Sequence, residues 1–262
     1  MPQSLNDRII LVTGGAQGIG RSCALLAARS GAAGIMLTDR HDVSETTRLV
    51  REAGHSQGVE VGWVEADLQD KDAPLHIAEA CLTRFGRIDG LINAAGLTDR
   101  GSLAEATPAL WDLLFTVNAK APSFLMQHVI ADMMGRKAGG TIVNLLSMNI
   151  HCGAPELAVY SASKAALALI TRNAAQTHRF DHIRINGINV GWVDTPAERI
   201  MHADVLGRGP AWLSEQAALQ PSGRLLVPED VARLAIFLLS DASLPMTGAL
   251  IDQEQWVIGG KN

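Results

Sequence analysis

The feature that most restricts how this chain folds lies near its start. An apolar run at residues 9–12 leads into Thr13-Gly14-Gly15-Ala16-Gln17-Gly18-Ile19-Gly20, and a helix-forming stretch follows from Gly18. Strand, glycine-rich turn and helix in that order open a βαβ unit, with the unpaired N–H groups of the helix N-terminus free to meet an anion. Side chains at Gly14, Gly18 or Gly20 would block the turn or the approach of a pyrophosphate. Glycines alone are equally consistent with a tight turn. The second apolar run ends at Thr38-Asp39-Arg40, however, and Asp39 stands 19 residues beyond Gly20, where a carboxylate accepts hydrogen bonds from an adenosine ribose.

The same alternation continues to the end of the chain. Strands are expected at residues 9–12, 35–37, 59–65, 90–93, 141–146, 183–190 and 249–252. Helices are expected to start near Gly18, Val43, Ala73, Pro108, Leu157 and Pro228, with Asp42, Asp72 and Thr107 as caps and proline in the first turn at Pro108 and Pro228. The pattern predicts an α/β, doubly wound Rossmann fold: a mostly parallel seven-stranded sheet with helices on both faces. No linker or repeat interrupts residues 1–262, so one dinucleotide-binding and catalytic domain is expected. Residues 197–223, with Gly207, Gly209, Pro210 and Pro221, are the least patterned and read as an irregular, mobile substrate loop.

Composition excludes several roles. With 47% hydrophobic and 19% charged residues the chain has the makings of a sizeable core. A formal charge of −5 with scattered basic residues argues against nucleic acid as a partner. No apolar run approaches the roughly 18 residues of a membrane span, and the opening MPQSLNDR lacks a secretion-signal pattern. A cytoplasmic protein without a membrane partner is the expectation. Cys23, Cys81 and Cys152 are far apart and no histidine cluster has metal-ligand spacing, so neither a disulfide framework nor a metal site is expected. Cys152 reads as an inert thiol rather than a catalytic one.

Further motifs give the chain a resemblance to the short-chain dehydrogenase/reductase family, in its compact single-domain branch. TGGAQGIG resembles the family's TGxxxGxG turn, Asp67-Leu68 its adenine-flanking pair, and Asn93-Ala94-Ala95-Gly96 its NAAG segment. Asn118 falls in a matching helix. Ser147 ends the fifth predicted strand, and Tyr160-Ser161-Ala162-Ser163-Lys164 supplies YxxxK 13 residues later around the chain's single tyrosine. The resemblance spans essentially the whole chain. It implies a nicotinamide cofactor, Asn118, Ser147, Tyr160 and Lys164 as catalytic residues, and a homotetramer. Lys164 would also hold the nicotinamide ribose, and Asn118 a water relaying protons to solvent. Cofactor contacts are expected from Gly14, Gln17, Gly18, Ile19, Gly20, Asp39, Arg40, Asp67, Leu68, Asn93, Ala94, Gly96, Tyr160, Lys164, Gly191, Val193 and Thr195.

The residue types suit that chemistry. Tyr160 and Lys164 are four apart on a predicted helix and share a face. An ammonium beside a phenol is expected to lower its pKa from about 10, making Tyr160 a proton carrier for hydride transfer, with Ser147 bonded to the reacting oxygen. Singly, Tyr160 reads equally as a core phenol, Ser147 as a turn serine and Asn118 as a helix-interior amide. Asp39 would repel the extra phosphate of NADP, which favours NAD, while Arg40 either pairs with that phosphate or stacks on the adenine.

Two departures from the family pattern stand out: the Pro-Gly pair after the sixth strand lacks its proline, the chain reading Asn189-Val190-Gly191-Trp192 with Gly191 kept, and Asp252-Gln253-Glu254 replaces the terminal Asp-Gly-Gly. Gln253, Glu254 and Trp256 are read either as surface packing or as contacts to substrate or a neighbouring subunit. Asn149, His151, Glu156, Met148, Trp192, Met201 and Trp212 are expected around the substrate, with Ser147 and Tyr160. Polar groups beside an indole suit a small sugar or polyol, a secondary alcohol or its ketone. His151 reads alternatively as a structural histidine. An NADPH-dependent reductase of 3-oxoacyl thioesters or other ketones and a non-catalytic nucleotide-binding module remain as alternatives.

Overall fold

The computed structural model describes residues 4–259; Met1 to Gln3 of the opening segment lie outside them. Its centre is one sheet of seven strands in the order β3-β2-β1-β4-β5-β6-β7, every neighbouring pair parallel. The strands are β1 (Ile9–Thr13), β2 (Gly34–Asp39), β3 (Glu60–Glu65), β4 (Gly90–Asn93), β5 (Gly140–Leu145), β6 (Ile183–Val190) and β7 (Leu250–Gln253). The helices are α1 (Gly18–Arg29), α2 (Ser44–Ala53), α3 (Ala73–Phe85), α4 (Pro108–Phe115), α5 (Ala121–Arg136), α6 (Ala158–Thr177), α7 (Pro196–Ile200), α8 (Trp212–Ala218) and α9 (Pro228–Leu239).

Strands buried on both faces need side chains that are apolar in both directions, and β1 supplies them: all five of its residues are buried. The two-residue period then sorts the core. Ile10 and Val12 pack with α1 and α9 residues such as Ala24, Ala27, Ala235 and Leu238, whereas Ile9 and Leu11 pack with Ile77, Leu125 and Leu167 of α3, α5 and α6. The chain reverses its direction of travel across the sheet between β1 and β4, which opens a crevice over the carboxyl ends of the strands.

Strand positions follow the sequence pattern to within one or two residues, and the sheet is parallel throughout rather than mostly so. Thr107 caps α4 as expected, its Oγ1 accepting from Leu110 N at 3.2 Å. Asp72 makes no side-chain cap to α3. Asp42 accepts from Ser44 N at 3.0 Å, one residue outside the cap position.

Two regions differ from the simple pattern. The helix opened by Pro108 passes through a π-helical turn, Thr116–Lys120, before continuing as α5. Pro122 explains it: proline has no N–H for the carbonyl of Asn118 four residues back, and its ring crowds that carbonyl, so the helix widens there. Residues 197–223 are irregular only in part, at 206–211 and 219–223. The rest forms α7, a second π turn at Met201–Val205, and α8. The stacked rings of His202 and Trp212 lie 4.7 Å apart with Trp192 beside them, and they anchor the segment. Helices of five and seven residues, fixed by tertiary aromatic contacts, leave little periodic signal in a sequence. Among the described residues no helix is long and apolar enough to cross a membrane.

Candidate active site

The crevice over the strand ends is a cavity of about 660 Å³. At one end it is lined by Asp39, Arg40, His41, Asp67 and Leu68, in the middle by the glycine-rich turn, and at the other end by Ser147, Tyr160 and Lys164. The turn is shaped by its own backbone. A Cβ on Gly20 would stand 2.1 Å from the carbonyl oxygen of Gly14, so only glycine lets α1 start that close to β1. Asp39 ends β2 with both carboxylate oxygens steadied by main-chain donors, Ala16 N at 3.0 Å and His41 N at 3.0 Å. Its remaining lone pairs are free to accept hydroxyls.

The glycine cradle, the α1 N-terminus and Asp39 fit a dinucleotide. Gln17, Gly18, Ile19, Ala94, Gly96, Gly191, Val193 and Thr195 line the same cavity. Thr195 also caps α7, its Oγ1 accepting from Glu198 N at 3.2 Å, which leaves its hydroxyl proton for another acceptor. Asn93 is buried outside the cavity lining. It donates from Nδ2 to Asn144 Oδ1 at 2.8 Å, and Asn144 donates to Thr171 Oγ1 at 2.8 Å, so this buried chain ties β4 and β5 to α6. Asn93 acts through the framework, not by reaching the cavity.

Tyr160 and Lys164 project from the same side of α6 into the crevice, both buried. Burial pushes the Tyr160 phenol up, the hydrogen bond with Ser147 pulls it down, and the carboxylate of Glu198 pushes it up again. This corrects the expectation that Lys164 lowers the phenol: the group that does so is Ser147. Lys164 Nζ instead donates to the Leu145 carbonyl at the end of β5, at 2.8 Å. Burial pulls its own pKa down to about 8. A Cβ on Gly96 would come within 3.2 Å of both Lys164 Nζ and Asn118 Oδ1, so that glycine gives the two side chains room.

Asn118 sits in the π turn, 1% exposed. Its Oδ1 accepts from Leu97 N at 2.8 Å, while Nδ2 donates to Leu97 O at 2.9 Å and Ser163 Oγ at 3.1 Å. Both amide protons are thus spent on structure, and the side chain clamps the loop after β4 rather than lining the cavity.

At the Ser147 end, Met148, Asn149, Glu156 and Trp192 line the cavity. His151 does not: its Nε2 pairs with Asp252 Oδ1 at 3.0 Å outside the cavity lining, and Asp252 also accepts from Asn189 Nδ2 at 2.6 Å. Nor do Met201 and Trp212, the latter 2% exposed beneath His202. Their places are taken by Glu198, His202 and Arg208, with Arg100 from the loop after β4. Nothing in the sequence marked these four, because loop and π-turn residues carry no period that fixes which way they face. Cys152 is exposed and lies outside the cavity lining.

The altered C-terminal segment completes the wall. Glu254 lines the cavity, and its Oε2 accepts from Trp192 N at 3.2 Å, in the space that a Cβ on Gly191 would enter. Gln253 donates to Asp230 O at 2.8 Å and Trp256 to Gln220 Oε1 at 3.2 Å, so the tail packs on its own chain. Gly260 lies outside the described residues.

Comparison with known proteins agrees with this geometry. The family described as enoyl-(acyl carrier protein) reductase matches residues 14–253. The chain is 32% identical over 252 residues to a cis-4-hydroxycyclohexanecarboxylate dehydrogenase of Sinomonas cyclohexanicum, covering 96% of both chains. It is 32% identical over 250 residues to a 3-oxoacyl-[acyl-carrier-protein] reductase of Thermotoga maritima, covering 94% of this chain and 96% of that one. L-sorbose reductase of Gluconobacter frateurii, solved with NADPH and L-sorbose, superposes with a TM-score of 0.91 at 26% identity over 100% of both chains. The protein belongs to the short-chain dehydrogenase/reductase family. It is an oxidoreductase of the alcohol–ketone class with a fold that binds a nicotinamide cofactor.

Proposed function

We propose that the protein is an NAD-dependent dehydrogenase of a secondary alcohol, of sugar or polyol type, working through Tyr160. The observation that carries this reading is the convergence of Ser147, Tyr160 and Lys164 in one cavity with the glycine turn and Asp39. When bound, the dinucleotide supplies the hydride acceptor. Tyr160 takes the proton of the substrate hydroxyl in oxidation and returns it in reduction. Ser147 donates to the same oxygen as charge builds there. Lys164 holds the nicotinamide ribose and passes protons outward, and the Asn118 carbonyl, which has no Pro122 N–H to bond, holds the relay water. Trp192 and Asn149 present an aromatic face and a polar group to the substrate. The exposed side chains of Trp111, Phe124, Leu169 and Ile170 support self-association as a homotetramer.

Asp39 carries the preference for NAD. Its carboxylate stands where a ribose phosphate would bring two more negative charges. Arg40 is exposed beside it, donating from Nε to His41 Nε2 at 3.3 Å. Steady-state kinetics on a panel of sugars, polyols and secondary alcohols, run with both cofactors, is expected to give NADH at a kcat/KM at least about tenfold above NADPH formation. Reduction of 3-oxoacyl thioesters with NADPH alone would overturn this reading, as would nucleotide binding without turnover of any member.

The titrating groups predict opposite pH profiles for the two directions. With its pKa raised, Tyr160 keeps its proton through neutral pH. Ketone reduction is therefore expected to be flat there and to fall above about 8 as Lys164 loses its charge. Alcohol oxidation needs the phenolate, and its log kcat/KM is expected to climb with pH beyond neutrality. Profiles of kcat/KM in both directions check this; an oxidation profile that falls as pH rises from neutral contradicts it.

A further inference from the structure

The charged groups around the Ser147 end of the cavity are unevenly satisfied. Each carboxylate there has protein donors. Glu156 accepts from Arg100 Nη1 at 2.8 Å. Glu198 accepts from Trp192 Nε1 at 3.0 Å and pairs with His202 Nε2 at 3.3 Å. Glu254 accepts from the main-chain N–H groups of Trp192 and Gln255, at 3.2 and 2.6 Å.

The cations are not so served. Arg100 spends one guanidinium nitrogen on Glu156, while its Nε is buried with no hydrogen-bond partner among the described residues. Arg208 has neither a carboxylate within ion-pair distance nor a side-chain hydrogen bond among them; only its main-chain N–H is engaged, with His202 O at 3.1 Å. Both residues line the cavity although they come from loops more than a hundred residues apart. Both also bear on the buried His202: desolvation pushes its pKa below the ordinary imidazole value, Glu198 pulls it back up, and the positive charges of Arg208 and Arg100 push it down again. The partly buried Arg100 and the exposed Arg208 thus hold unengaged donors around one space beside His202, an arrangement that suits an anion from outside the chain.

We propose that Arg100 and Arg208 bind an anionic group, a carboxylate or a phosphate ester, carried by the alcohol substrate. The inference rests on the reading that the substrate hydroxyl sits at Ser147 and Tyr160. It narrows the substrate from a neutral sugar or polyol to a hydroxy acid or a polyol phosphate. The pyrophosphate of the dinucleotide has its own donors at the start of α1, so the arginine pair serves the other end of the crevice.

The test compares matched anionic and neutral alcohols with NAD: gluconate against sorbitol, 3-hydroxybutyrate against 2-butanol, and a hexitol phosphate against the same sorbitol. The wild type is expected to show a kcat/KM at least about tenfold higher for the anionic member of a pair. The first two pairs report on a carboxylate and the third on a phosphate. Arg208→Gln is expected to reduce the anion-to-neutral ratio by about 10- to 100-fold, mainly through KM, and Arg208→Lys to restore part of it. The NADH dissociation constant of each variant is measured alongside by fluorescence. Preference for the neutral members overturns the inference, as does equal loss on both members of a pair or a loss explained by weaker NADH binding. If no alcohol of either kind is turned over, the parent reading fails instead. The arginine pair is then judged by calorimetry of gluconate and hexitol phosphate on the NADH complex, where absence of binding, or binding that Arg208→Gln leaves unchanged, overturns it.

Discussion

Replacing Tyr160 by phenylalanine is expected to lower kcat/KM by about 10²- to 10⁴-fold, the usual worth of a positioned acid or base, while NADH binding changes little. The ring stays: Tyr160 packs with Leu114 and Val159, and phenylalanine preserves those contacts. What goes is the single atom that bonds Ser147 and would exchange the proton of the substrate hydroxyl. Because the phenol is 8% exposed, a water molecule has little access from which to replace it. Ser147→Ala in parallel separates the roles: it removes a donor to the substrate oxygen and the group that pulls the Tyr160 pKa down, so its loss should be smaller and accompanied by a further alkaline displacement of the oxidation profile. Steady-state rates together with NADH fluorescence titration decide the matter. A Tyr160→Phe enzyme retaining most of its turnover removes the tyrosine from the chemistry.

How far the sequence foretold this site depends on what kind of residue forms it. The β1 turn was legible because backbone geometry dictates its composition: where a Cβ would stand 2.1 Å from Gly14 O, nothing but Gly20 serves. Asp39 was legible because a strand of fixed rise carries it to the mouth of the crevice. Tyr160 and Lys164 were legible because four residues on a helix define a face. The direction of the Lys164 ammonium was not, since a four-carbon stem reaches several partners and the choice of Leu145 O depends on β5, a different element. Asn118 was found, but its side chain proved to be a clamp on Leu97, a role set by a π turn that no period announces. His151 turned outward to Asp252 for a similar reason: the carboxylate that draws it lies on β7, about a hundred residues further along the chain.

Lys164 gives the second large effect, in which activity and stability are expected to move apart. A buried ammonium whose pKa falls from 10.5 to about 8 costs the folded state about 3 kcal/mol at neutral pH. The native chain sheds that proton earlier than the unfolded chain, so the penalty is complete below about 8 and fades as pH rises towards the unfolded value; over that window the wild type gains stability. Methionine keeps a long apolar stem and no charge. Lys164→Met therefore removes the penalty but leaves Leu145 O without its donor, a loss of about 1–3 kcal/mol. The two nearly offset, and the melting temperature near neutral pH is expected to stay level or rise. Its increase with pH above 8 should be weaker than that of the wild type. Catalysis is expected to fall by about 10² or more if Lys164 has the role proposed above, because the variant has no cation beside Gly96. Thermal denaturation across pH, set beside kcat/KM and NADH affinity, reads all three at once. A Lys164→Met protein that is both markedly less stable and still active would mean that the ammonium is a structural strut for β5 and plays no part in the chemistry at Tyr160.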